Sequence, residues 1–164
     1  MQVHSIEASR LSIVPGDRVA QTWHMADATS GEQRVRASFA RQGLMQHLGA
    51  ELVAVGEGTC EISCRPRPEL SQQHGYVHAG VIAAIADSAA GYAALSLTPE
   101  GSEVLTVEFK LNLLAPADGE LLIARGRVLR AGRTLTVCEA AVAALRDGQE
   151  TQCAAALATM IRRA

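Results

Sequence analysis

The stretch HGYVHAGVIAAIADSAAGYAALS, residues 74–96, holds one formal charge, Asp87, among Ala, Gly, Ile, Val and Leu. An isolated ionised carboxylate in apolar surroundings is too costly to keep, so it must be hydrogen-bonded, paired or protonated. Carboxylates held on those terms gather at functional sites. Residues 79–99 are long enough to cross a membrane, yet they are rich in Ala, Gly and Ser, carry Asp87 near the centre and have no Lys or Arg close to either end. A helix buried inside a globular domain accounts for those features better than a membrane span. Such a helix, apolar nearly all round, needs other elements around it, and its small residues let a sheet approach closely.

Those other elements can be read on both sides. SGEQ at 30–33 has the Ser-x-x-Gln form of a capping box and predicts a helix running to about Gly49. AELVAV and TCEISCR then flank GEG as a strand hairpin, with Cys60, Ile62 and Cys64 on one face. RPRPELSQQHGY reads as a loop, and TPEG ends the alanine-rich helix. In VLTVEFKLNLL, Leu105, Val107, Phe109, Leu111 and Leu113 alternate with Thr106, Glu108, Lys110 and Asn112, the period of a half-buried strand. GELLIARGRVLR, RTLTVCEAAVAAL and ETQCAAALATMIRR follow as strands, turned at AG (131–132) and RDGQ (146–149). The last is read as a strand from its place in the series, because its alanines favour helix. Residues 1–30 show no clean period and read as a loosely ordered N-terminal extension. Residues 31–164 then form one α+β domain, an antiparallel sheet of about six strands wrapped around a long central helix.

Fifteen basic and 17 acidic residues in a chain of 164 give a net charge of −2, with no basic stripe. That balance argues against nucleic acid or an anionic membrane as the main partner. Cys60, Cys64, Cys138 and Cys153 form no C-x-x-C and read as structural thiols of a reducing compartment. The first twenty residues have no signal-peptide pattern, so a cytoplasmic protein is expected. His74 and His78 are spaced as H-x-x-x-H, which on a helix could hold zinc. Gly75 and the loop before it disfavour a helix there and no third ligand is evident, so no metal is expected.

QQHGYVHAG, followed by Asp87 and then by LTVEFKLNLLAPA, resembles the hotdog-fold thioesterases of the PaaI-like branch over roughly residues 45–162. The family pattern has a polar amide, then His-Gly-Gly, an acid farther along the helix, and a strand with Ser or Thr near its start and Pro at its end. Those roles would fall on Gln72, on His78-Ala79-Gly80, on Asp87, and on Thr106 with Pro116. The sequence departs from the pattern at Ala79. The resemblance implies an acyl-CoA thioesterase without metal or redox cofactor. It also implies a homodimer or homotetramer with active sites between subunits, and basic residues near the AG turn, here Arg130 and Arg133, for the coenzyme A phosphates.

The chemistry of each position can be argued separately. If His78 opens the helix, the Ala79 and Gly80 amides lack intrahelical partners and sit at the positive end of the helix dipole. They can hold a thioester carbonyl oxygen as it gains charge, each such donor being worth about 3–4 kcal/mol of barrier. Asp87 would act as general base toward water or as nucleophile. Gln72 could polarise the carbonyl or hold the water, and Thr106 could orient either. Strict alternation puts Thr106 on the polar face of its strand, away from a helix packed on the apolar face. Thr106 would then meet Asp87 only across a subunit interface or where the strand bends. An apolar aliphatic or aromatic acyl group suits the Ala, Ile and Leu lining. Other readings are a non-catalytic acyl-CoA-binding module of the same fold, or a hydratase or dehydratase pairing a His with an acid.

Overall fold

The structure is a computed structural model that describes residues 30–163. The N-terminal extension expected from the sequence lies, but for Ser30, outside the described residues. Helix α1 (Ser30–Phe39) and helix α2 (Gly43–Leu48) precede a hairpin of β1 (Ala50–Gly56) and β2 (Thr59–Cys64). The long helix α3 (Ala79–Ser96) follows, and then β3 (Glu103–Leu113), β4 (Leu121–Ala131), β5 (Leu135–Arg146) and β6 (Gln149–Arg163). The six strands form one sheet in the order β1-β2-β4-β5-β6-β3, and every neighbouring pair is antiparallel. The sheet curls around α3, giving the expected hotdog arrangement.

Two expectations need adjustment. The single helix expected from Ser30 to Gly49 is two helices. The Arg41 and Gln42 amides bond Ser38 and Phe39 carbonyls, a tightened i→i+3 ending, and Phe39 packs its ring on Tyr92 with centroids 5.7 Å apart. Gly43, a poor helix former, begins the second helix at a new angle. Gly49 ends it in the left-handed region, φ 66°, with its N–H on the Gln46 and Met45 carbonyls. The β4–β5 turn occupies residues 132–134, slightly later than expected. The alanine-rich last run is a strand, the longest of the six, because β5 and β3 bond it along both edges.

The small residues of α3 let it lie directly on the sheet. A Cβ at Gly126 of β4 would fall 2.2 Å from the Ala89 carbonyl oxygen and 2.7 Å from the Ala90 nitrogen. Ile85, Ala86, Ala89 and Ala93 are fully buried at this contact side of the domain. α3 is also long and apolar enough, by length and composition, to cross a membrane; here it is the core helix.

The four cysteines are buried and unpaired. Burial pushes the Cys60 thiol up to about 12 and Cys138 to about 11. The native protein should therefore be inert to a disulfide reagent at neutral pH and show four thiols once denatured; rapid native labelling would contradict the burial. Gly126→Ala should lower stability by about 1–3 kcal/mol through overpacking against α3, read as a lower Tm, whereas an unchanged Tm would show that helix and sheet can separate without cost.

Candidate active site

Asp87 lies in the middle of α3, half-buried, facing the start of β3. Thr106 Oγ1 donates to Asp87 Oδ1 at 2.7 Å and rests on the Met160 sulfur at 3.2 Å. The two residues meet within one chain because β3 bends. Its register with β6 shifts between Thr106 and Glu108, leaving Val107 without a direct partner. Thr106 stands opposite Met160, which is 1% exposed, so it faces the helix. Beyond this β-bulge the parity reverses, and Phe109 and Leu111 take the inner face opposite Ala158 and Ala156. Leu105 and Val107 are left outside, each more than half exposed. The polar-outside alternation expected for the whole strand holds only after the bulge.

Asp87 and Thr106 open on a cavity of about 530 Å³ between α3, β3 and the α1–α2 corner. Leu95, Val104 and Met160 give it apolar wall, and Gly91, one turn beyond Asp87, leaves open space where a side chain would stand. The opposite wall carries residues that sequence patterns did not single out. Ser88 Oγ lies 3.3 Å from Gln42 Oε1, and Tyr92 hydrogen-bonds Ser38. Burial pushes the Tyr92 phenol above its ordinary range, with the Ser38 bond opposing it, so the phenol is neutral at physiological pH. Gln42 could not have been found from local spacing, because it reaches the cavity only through the break between α1 and α2.

The wall is held by an arginine. Arg34 of α1 donates to the carbonyls of Leu95, Thr98 and Pro99 at 2.7–2.8 Å, closing the C-terminal end of α3. A guanidinium at that end also meets the negative pole of the helix. α1 is thereby fixed against α3 beside the cavity.

The other expected site residues lie elsewhere in the same chain. Gln72 and Ala79 line a second groove together with Leu113 and Leu114 from the far end of β3. His78 and Gly80 line a third, on the α2 side. His78 is the N-cap of α3, and its Nδ1 accepts the Gly80 amide at 2.8 Å. That amide is engaged, whereas no group among the described residues accepts the Ala79 amide. His74 sits in the turn before α3, out of helical register with His78. Gln72 Oε1 accepts the His74 amide at 2.5 Å, ordering the loop; among the described residues the Gln72 side-chain N–H groups have no protein partner. Arg130, at the end of β4, and Arg133, in the β4–β5 turn, are exposed. His78→Ala should cost about 1 kcal/mol of stability by removing the helix cap; a loss under a few tenths in a denaturant titration would mean the capping bond contributes little.

Eight residues separate Ala79 from Asp87, about 12 Å along a helix axis. The amide and the carboxylate of one chain therefore cannot flank the same carbonyl group. Each chain presents two separate clusters, one with the Asp87 carboxylate and Thr106 hydroxyl, the other with the Ala79 amide and Gln72.

Comparison with known proteins places the chain in a family. The family model described as Thioesterase superfamily matches residues 74–151, which include α3 and Asp87. A thioesterase family protein from Silicibacter pomeroyi is 47% identical, with the match covering 80% of this chain and 97% of that one at a TM-score of 0.79. The 1,4-dihydroxy-2-naphthoyl-CoA hydrolase of Listeria monocytogenes is 28% identical over 97 residues, 59% of this chain and 79% of that protein. The E. coli PaaI protein, 19% identical over 82% of this chain and 94% of its own, shares the fold at a TM-score of 0.74. The chain belongs to the thioesterase superfamily and is a thioester hydrolase of the hotdog fold.

Proposed function

We propose that the chain hydrolyses acyl-CoA thioesters to a carboxylic acid and free coenzyme A, at sites shared between two copies. The observation that carries this reading is the Asp87 carboxylate, held by Thr106 at the edge of a cavity. The Thr106 bond takes one carboxylate oxygen and leaves the other to act. As a base, that oxygen takes a proton from water while the hydroxide forms a bond to the thioester carbon. As a nucleophile, it attacks the carbon itself, and water later cleaves the mixed anhydride. In both routes the C–S bond breaks and the thiolate leaves with a proton from the site.

The developing oxyanion needs a donor, and the Ala79 amide at the positive end of α3 supplies it. Its methyl group leaves the N–H in place. Gln72, in the same groove, adds side-chain N–H groups for the carbonyl or the water. Both come from the second copy. β3 is an edge strand with one row of backbone groups unpaired, and Leu105, Val107, Phe109, Leu113 and Leu114 on or beside it are more than two-fifths exposed. Such an edge is a template for pairing with another chain. Antiparallel pairing of β3 with its own copy sets the start of one strand against the end of the other. The Asp87–Thr106 cavity borders the start, Glu103–Thr106, and the Gln72–Ala79 groove borders the end, Leu113–Ala117. The two half-sites then meet, twice per dimer, as a two-fold axis requires.

The acyl body, aliphatic or aromatic, lies against Leu95, Val104 and Met160. His78 serves as a helix cap in a different groove, which disfavours a hydratase built on a His–Asp87 pair.

Asp87→Asn keeps the shape and removes the base, so kcat should fall by about 10²–10⁴ with the fold unchanged; wild-type turnover of an acyl-CoA panel by this variant would remove Asp87 from the mechanism. Thr106→Val should cost about 10–100-fold in kcat, the worth of one hydrogen bond to a charged group. A double substitution on the edge strand, Val107→Asp with Leu113→Asp, should yield an inactive monomer in light scattering; an active monomer would show that one chain suffices.

A further inference from the structure

Past its bulge, the edge strand β3 carries a charge pattern that nothing else in the chain answers. Phe109, opposite Ala158, faces inward, while Glu108 and Lys110, opposite Thr159 and Leu157, face outward. Glu108 and Lys110 are exposed, and among the described residues neither closes an ion pair or a side-chain hydrogen bond. Elsewhere on the outer face the charges are matched locally, Arg125 by Glu61 and Glu150 and Arg127 by Glu139. Phe109 is 41% exposed although it stands on the inner face. Lys110 is also the one lysine in the chain of 164 residues.

These residues decide how two copies of β3 can line up. A two-fold axis perpendicular to the sheet keeps inner face beside inner face, and directly opposite residues of an antiparallel pair share a face. Each allowed register near the middle of β3 therefore puts one residue on the axis, opposite its own copy. Glu108 on the axis would oppose two carboxylates, and Lys110 on the axis two ammonium groups, both unfavourable. With Phe109 on the axis, residues equally far from it in opposite directions meet. Glu108 then faces the partner's Lys110, and Lys110 the partner's Glu108, with Cβ atoms about 4.5–5.5 Å apart, within reach of an ion pair. The two exposed Phe109 rings cover each other on the inner face. The same register lays residues 103–106 beside the partner's 112–115, give or take the one residue of the bulge. Glu103 to Thr106 border the Asp87 cavity, and Leu113 to Ala115 border the Gln72–Ala79 groove.

Charges on an edge strand also serve to keep it unpaired. Like charges would do so in every register. Opposite charges two residues apart reject the neighbouring registers and accept one, which is the behaviour of a self-complementary surface. We infer that Glu108 and Lys110 are positioning residues that pair reciprocally with a second copy of the chain and hold β3 in the register centred on Phe109. The inference rests on the shared-site reading and adds which residues align the two halves of the site.

Full-length Glu108→Lys and Lys110→Glu chains test the pairing. Each homodimer then holds two like-charge pairs, so its dissociation constant in analytical ultracentrifugation should rise about tenfold or more, with hydrolysis falling as dimer is lost. A mixture of the two variants makes both pairs attractive again, and association and hydrolysis should return to within about threefold of the wild type. The double exchange Glu108→Lys/Lys110→Glu within one chain should do the same. In the wild type, a carbodiimide should join Lys110 to Glu108 across the dimer, and with one lysine per chain the linked peptide identifies the pair. A mixture as weak as its parents, a link from Lys110 to a different carboxylate, or a monomeric wild type would overturn the inference. A Lys110–Glu108 link in a dimer that cleaves no thioester supports the register and counts against the catalytic reading. An active dimer without that link refutes the register and leaves the catalytic reading standing.

Discussion

The backbone of α3 lies so close to β4 that at Gly126 only a hydrogen atom fits between them. That contact explains the composition of the helix. With Ala89 and Ala90 against the strand, bulk is displaced to the flanks, where Ile82, Ile85, Leu95 and Tyr92 fill the space under the curled sheet. A helix fixed at this distance can neither slide nor rotate without steric overlap. Asp87 and the first-turn amides therefore hold constant positions relative to the strands, as catalysis by positioned groups requires.

On this rigid base the site is made by irregularities. The β-bulge at Val107 turns Thr106 toward the helix and sends the next apolar residues inward on the other parity. The break between α1 and α2 brings Gln42 to the cavity wall, and Arg34 fixes that wall to the end of α3. Regular elements would leave Asp87 without its hydroxyl partner and the cavity without its polar side. On the proposed mechanism, the separation of the Ala79 amide from Asp87 by eight helical residues calls for a second copy.

The sequence showed the regular parts well. The apolar stretch around Asp87, the GEG hairpin and the two-residue turn at Asp147–Gly148 are local patterns, and each appears as read. Thr106 was legible as a candidate only through family resemblance, because alternation alone placed it on the wrong face. A one-residue bulge leaves almost no trace in a pattern of period two, yet it reverses every side chain after it. Gln42, Tyr92 and Ser38 were missed because they reach the cavity through tertiary packing of a short helix pair. The Gly80 amide was expected to be available for an oxyanion; the His78 ring occupies it, a detail of rotamer that no spacing encodes.

The central claim is that the reacting carbonyl is held by one chain and attacked from the other. Co-expression of Asp87→Asn and Gln72→Ala chains under two affinity tags allows the mixed dimer to be isolated. Each homodimer should be impaired, whereas the mixed dimer holds one site with both native residues and should recover about half the wild-type rate. A mixed dimer no faster than its impaired parents would place Gln72 and Asp87 in the same chain's site and contradict the account.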